Sequence, residues 1–131
     1  MPYIVAKKAT LLVPSGPGEN GQHLYVIVTN PCAEQQCLMV TMSSIKEGRF
    51  HDPACILAAG EHPFITKPSF IDYRLSWQVR CDHVVKCVDG WVYTSKTDVT
   101  DELFGKICGG IPASDFMPVR LYRYFEGNKH L

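Results

Sequence analysis

The chain has 131 residues, 46% of them hydrophobic and 20% charged, the composition of one globular domain with a single core. Thirteen Lys and Arg balance thirteen Asp and Glu. That balance argues against a general nucleic-acid binder, whose affinity comes from neutralising phosphates, but leaves room for an RNA site that needs only a local basic patch. No apolar run approaches the roughly 20 residues of a membrane span.

The start, "MPYIVAKKAT", places lysines after a short apolar stretch and lacks a long apolar core. It does not read as an export signal, so the expected compartment is the cytoplasm. The six cysteines (Cys32, Cys37, Cys55, Cys81, Cys87 and Cys108) are accordingly expected as thiols.

In chain order, "ATLLV" (9–13) is a short apolar run and "PSGPGENGQ" (14–22) a Gly/Pro-rich loop. "HLYVIVTN" (23–30) is apolar on both faces, as a central strand is, and "LMVTMSSI" (38–45) is a second strand. The two predict a hairpin joined by residues 31–37. "ACIL" (54–57) and "PFIT" (63–66) are short strand candidates, and "SFIDYRLSWQVR" (69–80) is a longer strand running into a loop. "DHVVKCVDGWVYT" (82–94) reads as another hairpin, turning at Asp89-Gly90.

The period then changes. Residues 95–110 place Val99, Leu103, Phe104, Ile107 and Cys108 on one helical face, with Ser95 and Asp98 as a capping box and Gly109-Gly110 as the stop. "MPVRLYRYF" (117–125) is a short last helix with Pro118 near its start. Trp77 and Trp91 are expected as core or interface anchors. Many short strands followed by helix predict a mostly-β fold, a single small antiparallel barrel with one or two C-terminal helices.

The early strand, the Gly/Pro-rich loop, "LYVIVTN" and "LMVTMSSI" resemble the PemK/MazF toxin family over residues 9–45. The resemblance implies an SH3-like barrel with a C-terminal helix, a homodimer, and cleavage of single-stranded RNA by 2′-OH attack without metal or other cofactor. It also implies an antitoxin protein that fills the RNA groove. The family has a catalytic Arg just before the second strand; here "GQHLYV" puts His23 in that place. Thr41, Ser43 and Ser44 match the family's catalytic Thr or Ser after the third strand. Histidine does not reproduce the bidentate phosphate clamp of arginine; His23 is expected to approach the face of His51 and His62 and to stand in the place of that arginine.

The densest stretch of chemistry is "FHDPACILAAGEHPF" (50–64). His51, Asp52 and His62 read as acid–base groups, with Asp52 orienting His51 and the two histidines flanking one groove. Arg74 or Lys67 would hold a phosphate, and Tyr73 or Phe70 would stack a base. The same residues also suit a capped turn, with Asp52 before Pro53 and "GEHP" as turn chemistry. Two ligand sets stand beside these readings, His51/Cys55/His62 and Cys81/His83/Cys87. The rival functions are a non-catalytic binding module for protein or nucleic acid, and a small zinc-stabilised domain.

Overall fold

The structure, a computed structural model, describes residues 2–14 and 21–131. Most of the predicted Gly/Pro-rich loop, residues 15–20, lies outside them. Seven antiparallel strands run as β1 (Thr10–Pro14), β2 (Gln22–Ile27), β3 (Gln36–Ser44), β4 (Ile56–Leu57), β5 (Ser69–Ile71), β6 (Trp77–Arg80) and β7 (Thr94–Lys96). Three helices accompany them, α1 (Cys81–Asp89), α2 (Asp101–Ala113) and α3 (Val119–Asn128). The expected mostly-β architecture with C-terminal helices is the one observed.

The sheet order is β4-β5-β3-β2-β1-β7, with β6 also on β3. Alternation along the two central strands decides what covers each face. Leu24, Val26, Val28, Leu38, Val40 and Met42 enter one core with Leu103, Ile107 and Ile111 of α2 and Leu121 and Phe125 of α3. Tyr25, Ile27, Cys37 and Met39 face the other way and pack with Leu11, Val13, Val79 and, from α1, Cys81 and Val84. The predicted hairpin is thus a central pair buried on both sides, in register Tyr25↔Thr41, Val26↔Val40 and Ile27↔Met39. At its far end β3 runs on past β2 and pairs on its opposite edge with β5, as Met42↔Ile71, Ser43↔Phe70 and Ser44↔Ser69.

Several elements differ from expectation. Residues 82–94 are not a hairpin: 82–89 belong to helix α1, 90–93 form a turn, and Thr94 opens β7. Cys81, Val84, Val85 and Val88 recur at helical spacing, and that stripe is what the second core buries or half-buries, overriding the β propensity of valine. Residues 63–66 are a turn; β4 pairs with β5 instead, as Ile56↔Phe70 and Leu57↔Ser69. The stretch 69–80 is broken by a 3₁₀ turn at Tyr73–Leu75. Trp91 is 91% exposed and so is no core anchor, and Trp77 is 36% exposed. All six cysteines are free thiols.

Helix α2 begins at Asp101, capped by the Thr100 hydroxyl that accepts the Leu103 amide at 3.1 Å; Ser95 belongs to β7. It runs through Gly109 and Gly110 to Ala113, so the glycine pair is not a stop. The reason is packing. The Tyr73 hydroxyl donates to the Ile107 carbonyl at 2.6 Å, and a Cβ on Gly110 would overlap the Tyr73 ring, whereas a Cβ on Gly109 meets open space. Gly110→Ala is therefore expected to destabilise the fold by about 1–3 kcal/mol through overpacking. Gly109→Ala should stabilise it by about 0.5–1 kcal/mol through helix propensity. Chemical denaturation of the two variants checks the opposite signs.

Candidate functional site

Beyond the Tyr25↔Thr41 pair, where the ends of β2 and β3 no longer pair, the sheet opens into a groove of about 1030 Å³. The end of β3 supplies Met42, Ser43 and Ser44, and the turn after it supplies Lys46, Arg49 and Phe50. His23 enters from the start of β2, Phe64 and Lys67 from the turn before β5, Phe70 from β5, and Asp72 and Arg74 from the segment after it. Four cations thus meet one carboxylate in a chain whose net charge is zero.

Arg74 is the most constrained of the cations. Its Nε donates to both oxygens of Asp72, at 2.9 and 3.2 Å, and the Asp72 carboxylate is buried, with 3% of its side chain exposed. The guanidinium carbon lies 4.1 Å from the centroid of the Phe50 ring. Phe50 in turn meets Phe116 edge to face at 4.9 Å and Phe70 at 6.2 Å. An arginine held by its Nε on one side and a ring on the other presents its two terminal nitrogens as a fork, the geometry that suits a phosphate. Phe50 and Phe64 are 37% and 42% exposed, so flat apolar faces stand among the charges.

Of the residues expected at a site, His23, Ser43, Lys67, Phe70 and Arg74 come together here, with Ser44 beside them. The others do not. Thr41 is buried, and its hydroxyl donates to the Leu24 carbonyl at 3.0 Å. Tyr73 is fully buried; burial pushes its phenol far above the usual range, and it has no face to offer a base. Asp52 does not orient His51: its carboxylate accepts the Ala54 amide at 2.9 Å and the Ser114 hydroxyl, tying this turn to the end of α2.

His62 is buried with both ring nitrogens engaged. A carbonyl only accepts, so Nε2 carries the proton and donates to Thr97 O at 2.6 Å, leaving Nδ1 to accept the Phe64 amide at 3.0 Å. Its partner in the expected acid–base pair, His51, is exposed and sits edge-on to Phe70 at 6.0 Å. The imidazole of His62 is thus a fixed clamp, and the acid–base pair is not assembled. Glu61 completes the turn by accepting the Ala58 amide at 2.6 Å and Lys106 Nζ at 3.1 Å. The Ala58 amide, then Lys106, hold its carboxyl below the usual carboxylate range against a smaller cost of burial. The stretch 50–64 is a pair of well-tied turns on either side of β4, and the second places Phe64 in the groove wall.

Neither ligand set converges as read. Cys55 lies in the first core, and Cys81 in the second. Among the described residues no three His, Cys, Asp or Glu side chains gather as a metal site. Lys46, Arg49, Phe50, Phe64 and Asp72 were missed, although basic residues interleaved with phenylalanines from Lys46 to Arg74 are a readable signal of a nucleic-acid surface.

His62→Ala is expected to cost about 1–3 kcal/mol, because it leaves the Thr97 carbonyl and the Phe64 amide without their partner. His51→Ala should stay within about 0.5 kcal/mol of the parent, as surface changes usually do. Denaturant melts check the difference, and hydrogen exchange at the Phe64 amide should quicken only in the His62 variant. No family model, curated protein or solved structure matches this chain.

Proposed function

We propose that the groove binds single-stranded RNA and that the protein is a toxin-like endoribonuclease acting by metal-independent attack of the 2′-hydroxyl. The observation that carries this reading is the concentration of Lys46, Arg49, Lys67 and Arg74 around exposed phenylalanine rings in a chain with no net charge. Cations follow a phosphate backbone, and rings stack on any base, a combination that suits a single strand over a duplex.

In this reading Arg74, braced by Asp72, takes the place of the arginine that the PemK/MazF pattern has before its second strand. Its terminal nitrogens bind the non-bridging oxygens and stabilise the charge that builds on phosphorus. His23 is the one imidazole among the described residues lining the groove, and it removes the 2′-hydroxyl proton. The 2′-oxygen bonds to phosphorus, the bond to the 5′-oxygen breaks, and that oxygen takes a proton from water. A cyclic phosphate and a 5′-hydroxyl result. Ser43 and Ser44 donate hydrogen bonds to the bound backbone. The same resemblance makes the working unit a cytoplasmic homodimer, with an antitoxin protein competing for the groove.

One observation favours a second reading, a binding module that does not cleave. Asp52 and His62 are spent on the fold and Asp72 on Arg74, which leaves His23 as the groove's acid–base group. The experiment is a binding and cleavage assay on one mixed-sequence RNA, with the sample sized by light scattering. The logarithm of affinity should fall with that of salt at a slope of about −2 to −3, near 0.7 per neutralised phosphate. Arg74→Ala should weaken binding and flatten the slope by about 0.7. His23→Ala should keep binding and lower cleavage by about 10²–10⁴-fold. Binding without cyclic-phosphate ends would establish the binding module, and a monomer would remove the dimer. Absence of salt-dependent binding would end both readings.

A further inference from the structure

Helix α1 and the turn after it bring together three side chains that the groove does not use. His83 and Cys87 are four residues apart, so one helical turn stacks them on the same face. Cys87 Sγ lies 3.6 Å from His83 Nε2, and Tyr93 Oη lies 3.4 Å from the same nitrogen.

The backbone holds this triangle in place. After Gly90 the chain reverses through Trp91 in the left-handed region, at φ 65°. The amides of Val92 and Tyr93 then both donate to the Cys87 carbonyl, at 2.8 and 3.0 Å. Tyr93 is thereby carried back over the helix, with its ring in the second core. Trp77 meets the His83 ring edge-on at 5.9 Å from another side.

The spacing is informative. The Tyr93–His83 separation of 3.4 Å is long against the ~2.7–3.2 Å of ordinary hydrogen bonds. The edges of a zinc tetrahedron fit better. Bonds of about 2.3 Å to sulfur and about 2.0–2.1 Å to nitrogen and oxygen put sulfur and nitrogen ~3.5 Å apart and nitrogen and oxygen ~3.3 Å apart.

We propose that His83 Nε2, Cys87 Sγ and Tyr93 Oη form a three-donor site for a zinc-like divalent ion, with the fourth position open to solvent on the exposed side of His83. Cys81, which the sequence pattern offers as a third ligand, is turned instead into the core toward Cys37. A thiol ligates as its thiolate, so ion binding displaces a proton from the site. The ion would tie α1 to the segment that leads into β7.

Cobalt(II) added to the folded protein, free of any histidine tag, is the probe. The expected result is one ion per chain, a near-ultraviolet thiolate-to-metal charge-transfer band, displacement by zinc, and a higher melting temperature with zinc present. Cys87→Ser should abolish the band. His83→Ala, at an exposed position, should weaken cobalt binding by at least tenfold. Tyr93→Phe should keep the band and shift the visible d–d spectrum. No charge-transfer band, a band that survives Cys87→Ser, or one lost on Cys81→Ser while Cys87 is intact would overturn the site.

Discussion

Strand β3 has to satisfy two faces and two sets of partners, and the rest of the molecule follows from that. Leu38, Val40 and Met42 belong to one core and Cys37 and Met39 to the other, so no register slip of one residue is tolerated. Along its length it pairs with β2 and β6 and then, from Met42, with β5. Strands β5 and β6 follow one edge of β3, while β2 pairs along the other edge only as far as Thr41, so beyond that pair the ends of β2 and β3 leave a gap. The basic groove occupies that gap, which is why its walls come from the ends of β2, β3 and β5 and from the turns beside them.

The polar residues divide by the same logic. Those under the sheet's edge are consumed in holding turns: Asp52 on Ala54 and Ser114, His62 on Thr97 and Phe64, Glu61 on Ala58 and Lys106. Buried polar groups left unpaired would cost about as much as a typical single mutation, so these bonds are structural first. The charges left at the rim are nearly all positive. Asp72 is the exception, and its burial beneath Arg74 fixes that guanidinium instead of cancelling the groove's charge.

Much of the fold was legible because β2 and β3 are apolar on both faces and α2 carries a clear stripe. What was not legible depended on partners distant in sequence. "DHVVKCVDG" has valines that suit strand or helix, and only the core awaiting Cys81 and Val84 decides for helix. Gly109-Gly110 looks like a stop unless Tyr73 is known to lie against Gly110. At the site, His23, Ser43, Lys67 and Arg74 were readable from residue type and position. His62 and Asp52 were misread because one short stretch cannot show that a carbonyl at Thr97 or a hydroxyl at Ser114 will claim their polar atoms. Tyr73 and Thr41 failed for the same reason, as burial is a property of the whole fold.

The claim that matters most is that the groove, and no other face, receives a single strand. Amide and side-chain chemical-shift mapping with a short single-stranded RNA tests it most directly. The shifts should concentrate at His23, Ser43, residues 46–50 and 64–67, Phe70 and Arg74, and an RNA duplex of the same length should produce far smaller ones. Shifts centred on α1 or spread evenly over the surface, or equal shifts from the duplex, would contradict it.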